Sequence, residues 1–152
     1  HTNTEYFSII NADGSMNPIE LEKMLEEITN RDFDIVFGSR YMNNAGSEDD
    51  DLITSVGNFI FSFIGKVFFK LKISDILYTY VVGKTNHVKN LNLKSQDFKL
   101  CIELPIKAHR NKYKYTSYPC NERKRIAGKK KVSPFIDGFR ILLGMISLFF
   151  KR

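Results

Sequence analysis

The 152-residue sequence predicts an α/β fold, and three observations carry the expectation. The apolar run Tyr6-Phe7-Ser8-Ile9-Ile10 ends in the turn formers Asn11-Ala12-Asp13-Gly14-Ser15, the pattern of a buried strand closed by a loop. Pro18 then opens a segment of helix formers with helical apolar spacing, Ile19 to Ile28. A second apolar run, Asp34-Ile35-Val36-Phe37, comes soon after. Strand, helix and strand in quick succession is the unit from which open α/β sheets are built.

The turn that closes the first strand is chemically suggestive. Open α/β sheets bind ligands outside the carboxyl ends of their strands, which places Asp13 to hold a metal. An ordinary loop is the competing reading, because Asn, Asp, Gly and Ser are the commonest turn residues. Leu21, Met24, Leu25 and Ile28 would form the inner face of the helix, and the second strand runs into Gly38-Ser39-Arg40-Tyr41. Glu48-Asp49-Asp50-Asp51 is a block of four acids, expected to be solvated and mobile, with a regulatory or metal role as the other reading.

From Leu52 to Lys72 the polar residues Ser55, Asn58, Ser62, Lys66 and Lys70 recur at helical spacing, while Phe59, Ile60, Phe61, Phe63, Ile64, Val67, Phe68 and Phe69 fill the rest. This is a narrow polar stripe beside a very wide apolar face. Its lysines argue against a membrane span and for a helix lying in the membrane interface, with burial in a core or a partner interface as the alternative. Pro134 to Arg152 repeats the design, with Asp137, Arg140, Ser147 and Lys151 on one stripe. Two aromatic-rich amphipathic helices in a chain of net charge +6 suit an anionic membrane surface.

Between these helices lie three segments with candidate chemistry. Ile73 to Gly83 is β-branched and alternating after Asp75, which predicts a strand with Asp75 at its entrance. Phe98 to Ala108 carries Glu103 between Ile102 and Leu104, where desolvation would raise its pKa and suit a general base; a surface ion pair with a lysine is the equal alternative. Lys114 to Pro119 reads as a strand, and Asn121 to Lys131 is strongly basic, with Arg125, Gly128 and Lys131 at regular intervals. Arg grips a phosphate with two donors, Lys adds a compact charge, and Gly lets the backbone approach. Composition alone also allows a solvated loop or a nucleic-acid patch, but aromatic residues do not interleave the basic ones as they do in single-strand grooves.

The acidic turn after the first strand, the Gly38-Ser39-Arg40-Tyr41 turn and the Arg125-x-x-Gly128-x-x-Lys131 loop together resemble family 2 glycosyltransferases of the GT-A fold, in particular the polyprenol-phosphate branch that includes dolichol-phosphate mannosyltransferases. The resemblance implies a GT-A, Rossmann-like nucleotide-sugar transferase domain that moves a sugar from a nucleotide diphosphate to a polyprenol phosphate or other membrane-proximal glycan acceptor, with inversion. It implies Mg or Mn on Asp13 and Asn11, although the family has Asp at the position of Asn11. Arg40, Arg125, Gly128 and Lys131 would hold donor or lipid phosphate, with Lys130 where the family has Ser. Asp75 matches the acid of the family's Asp-x-x-Ser-Gly-Phe-Arg motif, whose Ser-Gly and Arg positions are not matched here. By the same likeness Asp75 and Glu103 would act on the acceptor side, with a turn-capping role the alternative for Asp75. An enzyme extending a surface polysaccharide would differ only in acceptor.

The expected organisation is a catalytic part over residues 1–133 and an interfacial helix over 134–152, at the cytoplasmic face of a membrane. The two cysteines, without metal-ligand spacing, fit a reducing compartment. The chain opens without Met, and members resembling it spend roughly a hundred residues ahead of the metal turn, about a domain's length. The expectation is therefore an N-terminally truncated enzyme whose base pocket lies elsewhere and which would not turn over a donor alone. A basic peripheral-membrane or nucleic-acid binding module is the rival reading from another class, although no nucleic-acid partner is expected.

Overall fold

The computed structural model describes residues 3–127 and 133–151. Strand β1 (Tyr6–Ile9) leads through the acidic turn into helix α1 (Pro18–Arg31), and β2 (Ile35–Ser39) comes next. Asn17 closes the first turn of α1 by accepting from the Ile19 N–H at 3.2 Å, and Pro18 occupies a helical position where no N–H is needed. After β3 (Gly46–Ser47) come α2 (Leu52–Phe69), β4 (Val81–Lys84), α3 (Thr85–Asn90), α4 (Leu100–Arg110), β5 (Tyr115–Pro119), β6 (Asn121–Glu122) and α5 (Pro134–Phe150).

The main sheet has the order β1-β4-β2-β5. Strand β4 runs antiparallel to both β1 and β2, whereas β5 pairs with β2 in parallel. A minor sheet pairs β3 with β6 in parallel. Strand β4 stands between β1 and β2, and among the described residues β1 pairs on that one side and is half-buried. The architecture is mixed α/β with a sheet that contains a parallel pair, the fold class that the sequence predicts.

Alternation along β2 divides the core. Val36 faces α1 and packs with Met24, Ile28, Tyr80 and Val82. Ile35 and Phe37 face the other side, with Phe69 of α2, Ile102 of α4, and Ile141 and Met145 of α5. Helix α5 is also stitched to α4, since Arg110 donates to the Leu148 and Lys151 carbonyls at 2.6 and 2.7 Å.

Helix α2 is inverted relative to an ordinary surface helix. Asn58 and Ser62, from its polar stripe, are buried against the domain, whereas Leu52, Ile53, Val56, Phe59, Phe63 and Phe68 face outward. Ser62 Oγ accepts from the Ile76 N–H at 3.1 Å, and Asn58 Nδ2 donates to Tyr41 Oη and Asp50 Oδ2 at 2.9 and 3.1 Å. The stripe satisfies the domain's polar groups and leaves the aromatic side open. Helix α5 likewise turns Asp137, Ile141 and Met145 inward and exposes Phe135, Phe139, Leu143 and Phe150.

The expected strand after Asp75 begins only at Val81, and residues 75–80 are irregular. The acidic block is solvated only in part: Glu48 and Asp51 are exposed, Asp51 caps α2 by accepting from the Thr54 N–H at 2.7 Å, and the Asp50 side chain is shielded against Arg40.

Candidate active site

A cavity of about 840 Å³ opens between the turn after β1, the loop before α2, and the faces of α2 and α5 that meet. Its polar lining includes Asn11, Asp13, Arg40, Asp49, Asp50, Glu122 and Arg125. Helices α2 and α5 add the apolar Ile53, Val56, Ile60, Phe61, Phe135 and Ile141, together with Asn58 and Asp137. The site is therefore of mixed character, charged and apolar.

The acidic turn and the basic segment are built onto one another. The Arg123 N–H donates to the Ser15 carbonyl at 2.8 Å and the Ile126 N–H to the Asp13 carbonyl at 2.9 Å. Gly14 takes φ +79°, a backbone conformation suited to glycine, directly beneath the Ile126 side chain. These bonds bring Arg125 Nη1 to 3.9 Å from Asp13 Oδ2. Asp13 Oδ1 accepts from the Ser15 N–H at 3.1 Å. Burial pushes the Asp13 carboxyl up, but the Ser15 hydrogen bonds and the Arg125 charge outweigh it and leave the group below its ordinary value.

Arg125 is also held from the other side. Its Nε donates to Asp49 Oδ1 at 3.2 Å and its Nη2 to Asp49 Oδ2, the two-pronged grip that a guanidinium makes on a planar anion. The Asp49 hydrogen bond raises the Arg125 pKa above the ordinary arginine range. The Lys124 N–H donates to Glu48 Oε2 at 3.2 Å, so the acidic block and the basic segment lie face to face.

Arg40 has a different setting from the phosphate grip expected of it. Its Nε donates to Asp75 Oδ2 at 2.8 Å and its Nη2 to Asp75 Oδ1 at 3.2 Å, while Nη1 meets Glu122 Oε2 at 3.0 Å and Asp50 Oδ2 at 3.1 Å. The guanidinium lies over the Tyr78 ring, 4.6 Å from its centroid. A charge this deeply buried requires partners, and three carboxyl groups from three separate segments provide them. Arg40 is the centre of a buried ionic cluster that also forms part of the cavity lining.

The same geometry relocates the two expected catalytic acids. Asp75 is 1% exposed and both its oxygens face Arg40, so it does not present a base to an acceptor. Glu103 accepts from the Lys94 and Ser95 N–H groups at 3.0 and 2.7 Å and pairs with Lys107 Nζ at 2.7 Å. Burial pushes its carboxyl up, but the Lys107 and Ser95 hydrogen bonds prevail and bring it down to about 2. The raised pKa expected from Ile102 and Leu104 is thus reversed, and the alternative, an ion pair with a lysine, is the one realised, with Lys107 and then the backbone donors holding the charge. Gly128 and Lys131 lie outside the described residues.

Sequence reasoning missed Asp49, Asp50, Glu122 and Tyr78. The acids are hidden in runs of charge, and Tyr78 in an apolar stretch. Their signal, an acidic block of the right size to answer a basic one, is readable only once the two are known to be adjacent.

Among the described residues, no three His, Cys, Asp or Glu side chains gather closely enough to cage a metal. Asp13 Oδ2 stands beyond hydrogen-bond reach of Arg125, and Asn11 lines the same wall. One carboxylate and one amide carbonyl are a donor set that fits Mg or Mn arriving with a diphosphate, since Mg is commonly held by one or two carboxylates plus substrate phosphates. The family described as Glycosyl transferase family 2 matches residues 1–91, more than half of the chain.

Proposed function

The chain belongs to glycosyl transferase family 2, and from that premise we propose that its cavity joins a nucleotide-diphosphate sugar to a polyprenol phosphate or similar membrane-proximal acceptor. The observation that carries this reading is a single cavity whose lining combines Asp13 and Arg125 with apolar side chains of α2 and α5. Diphosphate and sugar fit the charged part of that lining, and a hydrocarbon chain fits the apolar part.

In this reading the acceptor oxygen attacks the anomeric carbon from the side opposite the leaving group. The carbon–oxygen bond to the donor breaks, the nucleoside diphosphate departs with the bonding pair, and the configuration inverts. Asn11 and Asp13 would hold Mg or Mn, which offsets the charge of the departing diphosphate when bound. Arg125 supplies a bidentate donor to the same oxygens, aided by electrostatics in a partly closed site. A phosphate acceptor is already ionised near neutral pH, so no general base is needed, in keeping with Asp75 and Glu103 being engaged elsewhere.

The outward aromatic faces of α2 and α5 would rest in the bilayer interface at the cytoplasmic face, bringing the apolar part of the cavity lining to the lipid. Helix α2 is also long and apolar enough to cross a membrane by length and composition. Its position packed on α5 favours the interfacial placement proposed.

The test is transfer of labelled sugar from UDP- and GDP-sugars to polyprenol phosphate in liposomes by the full-length protein. Asp13→Ala is expected to lower kcat/KM by about a hundredfold or more, the scale on which loss of a charge-stabilising group acts. Equal transfer by the variant and the wild type would remove Asp13 from the site.

A further inference from the structure

We propose that Asp49 is a positioning residue for Arg125: its carboxylate occupies the phosphate-gripping face of the guanidinium and gives it up when the donor diphosphate enters. The proposal rests on the reading of this cavity as a donor site. Three independent observations support it. Asp49 meets Arg125 through two parallel hydrogen bonds, the geometry by which arginine grips phosphate as well as carboxylate. The pair lines the same cavity as Asp13, and Arg125 Nη1 is 3.9 Å from Asp13. Both side chains are shielded, at 24% exposure for Arg125 and 15% for Asp49, so water screens their contact only in part.

The backbone on each side of the pair is fastened independently of it. Arg123 and Ile126 are bonded to the Ser15 and Asp13 carbonyls, and the Glu48 N–H donates to the Glu122 carbonyl at 2.9 Å. The guanidinium can therefore change partner without dismantling the loops. Asp49 serves two ends in this arrangement. It holds a long, rotamer-rich side chain at the cavity in the absence of donor, and it competes with the donor for the Nε–Nη2 edge of the guanidinium. Only the fraction of molecules in which Arg125 has let go of Asp49 offers that two-pronged edge to an anion, so the apparent affinity is lowered by that fraction.

The experiment is calorimetric binding of Mg-pyrophosphate, Mg-UDP and Mg-GDP to the full-length wild type, Asp49→Asn, Arg125→Ala and the double variant. Asparagine keeps the shape and one acceptor, and a thermal melt of each protein reports its fold. The expected result is tighter binding to Asp49→Asn by about fivefold or more, the lower end of ordinary coupling between sites, and weaker binding to Arg125→Ala. In the Arg125→Ala background the same Asp49→Asn change should alter affinity by less than about twofold, because the competition acts through Arg125. Weaker binding to Asp49→Asn with an unchanged melt, or an equal gain in both backgrounds, overturns the proposal. The first would make Asp49 a simple support and the second a general field effect. Wild type that binds none of the three probes overturns both this proposal and the donor site it rests on. Wild type that binds them and is indifferent to Asp49→Asn overturns this proposal alone.

Discussion

At the scale of single residues, two buried ionic sites behave in opposite ways. Arg40 sits among Asp75, Glu122 and Asp50, with Ser47 Oγ donating to Glu122 at 2.6 Å and Tyr41 Oη to Asp50 at 2.9 Å. Replacing one member of such a cluster leaves the others without partners in a low-dielectric setting. Arg40→Leu is therefore expected to destabilise the fold by about 3–5 kcal/mol, read as a lower urea midpoint. Glu103 gives a pH signature instead. Its folded pKa of about 2 lies below the unfolded value near 4.5. Its stabilisation is thus full above about pH 4.5 and is lost as the pH falls toward 2. Glu103→Gln should be less stable than wild type at pH 7, and the gap should close between those limits in unfolding titrations. A gap that stays constant with pH would show that the carboxylate charge is not what Lys107 and the 94–95 backbone hold.

At the scale of elements, periodicity is a reliable guide to existence and a poor guide to orientation. Helices α1, α2 and α5 lie where their apolar spacing and prolines place them, and β2 and β5 coincide with their β-branched and aromatic runs. The direction in which α2 presents its stripe is not legible in the sequence, because Asn58 and Ser62 look like solvent residues until their partners Asp50, Tyr41 and Ile76 are in position. For Glu103 the sequence leaves two readings level, and the lysine pair is the one realised. Its flanking Ile102 and Leu104 speak of desolvation, whereas Lys107 one turn on and the Lys94 and Ser95 N–H groups of a preceding loop hold the charge. A cleft shared by Asp13 and the basic segment is legible in the motifs, but the acidic block that answers Arg125 is not. The inverted α2 leads to a sharp expectation. Phe59 and Phe63 are 70% and 56% exposed, so changing both to Ser should shift stability by no more than about 0.5 kcal/mol per site. The proposed interface placement predicts that the same change weakens co-flotation with anionic liposomes by about tenfold or more, given the transfer free energy of a phenylalanine side chain. Undiminished flotation would remove this face from membrane contact.

At the scale of the whole molecule, distant segments are tied into one site. Arg40 binds partners 35 and 82 positions further along, and Arg125 reaches back 76 to Asp49. Strand β2 finds its parallel neighbour only at residues 115–119. The cavity therefore belongs to the entire chain, although the family likeness covers residues 1–91 alone. While a ribosome is still translating toward Tyr115, β2 has one open side and Arg40 lacks Glu122, so the nascent chain carries a half-made sheet and an incompletely neutralised interior charge. Closure has to wait for late residues, the kind of long-range pairing that slows folding and leaves strand edges open to other nascent chains.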